Sequence, residues 1–115
     1  MKLTAPREDF LSPLQSVIGV VERRQTMPVL ANVLLSARDN RLNITGTDLE
    51  VELVATSTVT LQQGGDITVP GRKLLDIFRA LPEKVSVTLS TEGERMSIKA
   101  GRSRFTLARA RDGVT

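Results

Sequence analysis

At 115 residues, with 40% hydrophobic content, the chain has the size of a single domain and enough apolar mass to bury a real core. It contains no His, Cys, Tyr or Trp, which removes the commonest general base, thiol nucleophiles, disulfides and zinc ligands together. The formal net charge is +3, but residues 95–111 hold six cations and no acid, so the rest of the chain is net −3 and the basicity is local.

The N-terminus, MKLTAPREDF, has no apolar run of the signal-peptide kind, and no stretch approaches the roughly 20 apolar residues of a membrane span. A soluble cytoplasmic protein with no membrane partner is expected. LTAP at 3–6 reads as the end of a strand running into a helix from about residue 7. In that helix Phe10, Leu14, Val17, Ile18 and Val21 form the apolar face, while Ser12, Ser16 and Gly19 lie opposite as a smooth outer surface. Pro13 removes a backbone donor and pushes against the carbonyl of Asp9, so the helix either bends there or starts at Ser12 with Gln15 closing a capping box. A helix from about residue 7, bent at the proline, is the expectation adopted.

Three strand-like segments follow: VLANVLLSA (29–37), RLNITG (41–46) and LEVELVATSTV (49–59), with RDN at 38–40 as a hairpin connection. QQGGD at 62–66 reads as a separator, after which ITVPGRKLLDIF (67–78) echoes LTAPREDFLSPL (3–14) at an offset of 64. Leu74, Leu75, Phe78 and Leu81 form the buried stripe of the second helix, with Arg72, Asp76, Arg79 and Glu83 opposite and Pro82 as its stop. KVSVTLS (84–90), RMSIKA (95–100) and RSRFTL (102–107) then repeat the three strands, with TEG at 91–93 as a connection.

The pattern predicts an α+β fold, a pseudo-duplicated β-α-β-β-β unit whose two helices pack on one face of antiparallel sheet. One domain over 1–108 is expected, with repeat one at about 1–61, repeat two at about 66–108, and 109–115 as a divergent tail.

Little of the sequence is suited to chemistry. In TDLEVE (47–52) Asp48, Glu50 and Glu52 share one strand face, a pattern open to two readings: a divalent cation in an oxygen cage, or the solvated side of a half-buried strand. QQGGD lacks the strand, helix and Lys-Ser/Thr frame of a phosphate-binding loop. Arg23 and Arg24 end the first helix, where they complement its dipole or form a phosphate clamp. With three Phe as the sole aromatics, stacking on single-stranded bases is poorly served, so any nucleic acid bound would be a duplex backbone read without sequence. The basic stretch GERMSIKAGRSRFTLARAR (93–111) is equally open: a polyanion site, a dock for an acidic partner, or an edge strand kept soluble by charge.

TGTDLEVE, VPGRKLLDI and GERMSIKAGRSRFTL, with the MKLT start and RRQTMPVLANVLL, closely resemble the first domain of the bacterial sliding clamp family, the beta subunit of DNA polymerase III, from residue 1 to Leu107. The resemblance implies the DNA-clamp fold and a non-catalytic processivity factor: three such domains per subunit, two subunits per ring, helices lining the hole and sheets outside. No catalytic residue, metal or cofactor is implied. Arg24 matches a DNA-touching position, and Arg72 and Arg79 are expected to add diffuse positive potential toward duplex DNA, weakly for this domain alone. Lys73, Arg95, Arg102, Arg104, Phe105 and Leu107 would form the subunit interface, meeting the third domain of a neighbouring subunit, with the two apolar residues at its centre.

In the full-length protein the implied partners are a second copy, the polymerase and the clamp loader. The family continues past this strand, whereas here the chain turns to ARARDGVT, so the expectation is an excised or truncated first domain that cannot close a ring by itself. The alternative is a freestanding short clamp that caps a full-length one as an inhibitor.

Overall fold

The computed structural model describes residues 1–24, 32–47 and 52–110. Nine strands and two helices are found among them, in the order β1 (Lys2–Pro6), α1 (Arg7–Arg24), β2 (Asn32–Arg38), β3 (Arg41–Thr47), β4 (Glu52–Thr58), β5 (Thr60–Gln63), β6 (Gly65–Pro70), α2 (Gly71–Ala80), β7 (Ser86–Glu92), β8 (Arg95–Ala100) and β9 (Ser103–Ala108). None of the described helices is long and apolar enough to cross a membrane.

The antiparallel surface is two sheets, one of five strands in the order β5-β1-β7-β8-β9 and one of four in the order β4-β3-β2-β6. Each repeat lends its first strand to the other. β1 pairs with β7, setting Leu3 opposite Leu89 and Ala5 opposite Val87, while β6 pairs with β2, setting Ile67 opposite Leu35 and Val69 opposite Val33. These two ladders are the same ladder, since Leu3 and Ile67, and Ala5 and Val69, are the echoed positions of the two repeats.

Strand alternation sends one residue set inward and the next to solvent. Val33, Leu35, Leu42, Ile44, Ile67 and Val69 from one sheet, with Leu3, Val87, Leu89, Met96 and Ile98 from the other, join one continuous core. The helices seal it with Phe10, Leu14, Val17 and Ile18 from α1 and Leu74, Leu75 and Phe78 from α2. Phe10 and Phe78 stack across the helix pair with ring centroids 5.1 Å apart. Their echoed counterparts are Leu74 and Leu14, so each repeat brings one Phe and one Leu to the junction.

α1 is continuous through Pro13. Its first turn carries Glu8 and Asp9, anions placed well for the helix dipole. Arg7 is tied down on three sides: its N–H donates to Val85 O at 2.8 Å, its Nε to Phe78 O at 2.8 Å, and its Nη1 to Glu8 Oε2 at 2.9 Å. A cation thus caps the carbonyl end of α2, which Leu81 N also bonds at 3.2 Å before Pro82 ends the run.

Turn chemistry fixes the hairpins. Asp39 and Asn40, both at positive φ (55° and 58°), make the two-residue loop between β2 and β3. The β7–β8 loop is Gly93–Glu94 rather than residues 91–93, because Thr91 and Glu92 stay in the ladder opposite Met96 and Arg95.

QQGGD is not a separating loop. Gln62 and Gln63 finish β5, and Gly64 alone divides it from β6. A side chain at Gly64 would lie 2.9 Å from Ala37 O, so close approach to β2 demands glycine. The segment beginning at β4 likewise does not end at residue 59. It turns at Val59 and leaves one sheet for the other, held by Val59 N donating to Asn40 O at 3.0 Å and Leu61 N to Asn40 Oδ1 at 3.1 Å.

Candidate nucleic-acid interface and strand rim

The outer face of α2 is a regular consequence of its pattern: the residues of one turn cannot all face the core, and Arg72, Lys73, Asp76 and Arg79, with Ala80 at the end, are left in water. Arg72 and Arg79 are separated by two turns, about 10 Å along the axis. Arg72 pairs with Asp76 at 3.5 Å, an i,i+4 contact between two side chains at least half exposed, and Arg79 sits in the last turn where a cation suits the dipole.

On α1, Ser12, Gln15 and Ser16 are exposed, and Ser16 Oγ folds back onto Ser12 O at 3.2 Å. Gly19 adds no side chain and nothing lies near where one would be. Side by side, the helices therefore present a low-relief surface with scattered arginines. Arg24 closes α1, and its side chain, like those of Val21 and Arg23, lies outside the described residues.

The second candidate surface is β9, an edge of the five-stranded sheet. Arg104 and Thr106 face out and are exposed, with Arg104 opposite Lys99. Phe105 and Leu107 face the other way, opposite Ile98 and Met96, and they differ: Leu107 is 8% exposed and belongs to the core, while Phe105 is half-buried against it. Arg102 lies in the Gly101–Arg102 turn, and Arg95 starts β8 opposite Ala108. Lys73 stands apart from this group, on α2, which packs against α1, β2 and β6.

Past Ala108, Arg109 N donates to Glu94 O at 2.8 Å and Ala110 N to Thr68 O at 2.8 Å, so the chain leaves β9 and crosses to β6. The β9 edge is thus open along its own length and closed off where the tail departs.

Asp48 and Glu50 lie outside the described residues, and Glu52 is exposed on β4. Among the described residues no group of three His, Cys, Asp or Glu is arranged to hold a metal. Among the described residues one ionisable group is clearly shifted: the Arg7 guanidinium bonded to Glu8, together with the Lys84 N–H at 2.9 Å, holds the Glu8 carboxyl below its ordinary value. The local sequence pattern does not single out Lys2, and it groups Lys99 with its hairpin alone. These two cations come to one sheet face through β1–β7–β8 pairing, which no local pattern encodes.

Residues 1–111 match the family model described as the DNA polymerase III beta subunit, N-terminal domain. The chain is 54% identical over 111 residues to the beta sliding clamp of Pseudomonas aeruginosa, covering 94% of this chain and 30% of that protein. It is 49% identical over 109 residues to the beta sliding clamp of Escherichia coli K12, again 94% of this chain and 30% of the relative.

Among solved structures, the DNA polymerase III subunit beta of Pseudomonas aeruginosa superimposes with a TM-score of 0.86 at 50% identity, covering 97% of this chain and 31% of that one. The DNA polymerase sliding clamp of Caulobacter crescentus gives 0.86 at 43% identity, covering 98% and 31%. The chain spans about a third of the length of these clamps. It belongs to the family of the DNA polymerase III beta subunit N-terminal domain.

Proposed function

We propose that this domain is one arc of a clamp ring closed around duplex DNA, a processivity factor that tethers the replicative polymerase and makes or breaks no bonds itself. The helix pair faces the duplex, and Arg24, Arg72 and Arg79 attract its phosphates without reading bases. Diffuse attraction of this kind permits sliding, whereas base-edge hydrogen bonds would pin the protein to one sequence. The β9 rim docks on the third domain of a neighbouring subunit, with Arg95, Arg102 and Arg104 meeting acidic partners beside Phe105, Leu107 backing that contact from the core, and Lys73 meeting a further acid from α2, apart from the strand. The second copy, the polymerase and the clamp loader are partners of the full-length protein.

The observation that carries this reading is the split of one surface into two kinds: a low-relief helical face with exposed arginines, and an unpaired, basic edge strand with Phe105 half-covered beside it. An open edge strand is a template for pairing with another chain, and charge around it sets docking rate and partner choice.

The test is Phe105→Asp in a full-length subunit carrying this domain, followed by sedimentation velocity. Conversion of dimer to monomer, with loss of retention on circular duplex DNA, is expected. A dimer that persists at the wild-type association constant overturns the rim assignment.

A further inference from the structure

The outward face of the five-stranded sheet holds a trough of about 430 Å³, in which Lys2, Lys99 and Arg104 supply three positive charges. Strand register explains the grouping. Thr4, Thr88, Lys99 and Arg104 form one cross-strand row, and Lys2, Ser90 and Ser97 form the next, so the cations stand at opposite ends of two adjacent rows with hydroxyls between them. No carboxylate and no aromatic or aliphatic residue lines the trough.

Two polar contacts organise it. Arg104 Nε donates to Ser97 Oγ at 3.2 Å, which holds the guanidinium over the sheet rather than out from the strand. Thr4 Oγ1 and Thr88 Oγ1 share a hydrogen bond at 3.0 Å, which uses one of their two hydroxyl hydrogens and leaves the other able to donate to a ligand in the trough.

This lining selects by exclusion. Protein interfaces draw their binding energy from buried aromatic and aliphatic anchors, and single-stranded nucleic acid needs a stacking platform; the trough offers neither. What remains is recognition by charge and hydroxyl donors, the means by which phosphate oxygens are bound. From β1 to β9 the cations span three strand spacings, about 14 Å, which is more than one phosphate group covers.

We propose that this trough binds a condensed phosphate chain, the chemistry shared by inorganic polyphosphate and nucleoside polyphosphates. Lys2 anchors one end, Lys99 and Arg104 the other, and Ser90, Ser97, Thr4 and Thr88 bond the bridging stretch. Arg104 also belongs to the β9 rim, whereas Lys2 and Lys99 do not, so the two surfaces can be separated by mutation.

The probe is tripolyphosphate, titrated calorimetrically into the 115-residue chain at low ionic strength, where exposed charges are least screened. Saturable one-site binding is expected, weakened about tenfold or more by Lys2→Glu with Lys99→Glu, and nearly unchanged by Arg38→Glu with Arg41→Glu, an equal charge reversal on the other sheet. Amide shifts on titration should centre on Thr4, Thr88, Ser90, Ser97 and Lys99, and this map decides the matter if the double variant fails to fold. A nucleoside triphosphate binding as well as tripolyphosphate shows that the phosphate chain alone is read; a much tighter nucleoside triphosphate shifts the source to nucleotides.

Equal weakening by both double variants, shifts scattered over the basic residues of the whole chain, or binding of a phosphodiester oligonucleotide where tripolyphosphate is inert would overturn the proposal.

Discussion

Ser57 Oγ on β4 donates a 2.6 Å hydrogen bond to the main-chain carbonyl of Asp9 in α1. That carbonyl is the acceptor Pro13 leaves idle, because proline has no N–H to give the residue four positions back. A helix carrying an interior proline therefore stays continuous by borrowing a donor from the neighbouring sheet.

Ser57→Ala is expected to destabilise the domain by about 1 kcal/mol in urea unfolding. Pro13→Ala restores the helical donor, so the same Ser57→Ala change should cost measurably less in that background. Additive costs in this double-mutant cycle would show that Ser57 acts on something other than the vacant acceptor.

Glu8 makes stability depend on acid. Its folded carboxyl titrates below the ordinary value, chiefly through the Arg7 hydrogen bond, so the stabilisation is present in full above the unfolded-state pKa and is lost as pH falls through the lower, folded one. Thermal melts taken from neutral pH down through the carboxylate range should fall more gently for Glu8→Gln than for the parent. Glu8 is nearly half exposed, so solvent screens the effect and the change in slope is modest.

Asn40 does two jobs, one in the β2–β3 turn and one at the bend between β4 and β5 that it holds. Its φ of 58° suits Gly or Asn, and its side chain accepts the Leu61 N–H. Asn40→Gly keeps the backbone and loses the bond, at a cost of about 1 kcal/mol. Asn40→Ala loses both and should cost about 2 kcal/mol or more. Denaturant midpoints for the two variants provide the comparison, and equal values would mean that backbone strain plays no part.

Leu107 and Phe105 should separate by phenotype. Leu107→Ala removes core volume and is expected to cost about 2 kcal/mol or more in unfolding. Phe105→Ala, although the larger truncation, should cost less because Phe105 is half-covered, and its main effect should appear in association with a second chain. The reverse order of stability would place Phe105 as the packing residue and Leu107 as the expendable one.

On the helix face, removing one cation that neutralises a phosphate should reduce the slope of log K against log salt for duplex binding by about 0.9. Replacing both Arg72 and Arg79 with Gln should therefore lower it by about 1.8, read by fluorescence anisotropy. Asp76→Asn, by contrast, should tighten duplex binding, since Asp76 shares the charge of Arg72 at 3.5 Å. An unchanged salt slope in the double Gln variant would remove α2 from the duplex face.

Both helices and most strands are legible in the amino-acid order alone, because their apolar spacing repeats: Leu74, Leu75, Phe78 and Leu81 all prove buried. The hairpin connection at residues 38–40 is legible too, although Arg38 stays in β2 opposite Arg41 and the turn is Asp39–Asn40 alone. β5 is not, since the alternation of β4 runs on past Val59 and nothing local says that the next residues pair with β1. The exchange of β1 and β6 is equally hidden, being a matter of which distant strand lies alongside.

Alternation places Phe105 and Leu107 on one side of β9 but is silent on how far each is covered, which depends on how the core closes beneath the edge. The Arg7–Glu8–Lys84 knot ties Glu8 to a residue 76 positions further along the chain, and no motif announces it.

The exchange of β1 and β6 says something about ancestry and assembly. The first half, severed at Gly64, would keep β1 paired only with β5 beside a three-stranded β4-β3-β2 sheet with a vacant edge, and the second, a β-α-β-β-β unit, would present β6 with no sheet to join and a three-stranded sheet with a vacant edge. Two copies of that unit satisfy each other by mutual insertion, giving a two-fold symmetric dimer with the outline of this domain. Fusion of such a dimer into one chain would leave the traded strands as its seam, and would make the halves obligate partners that must fold together or not at all.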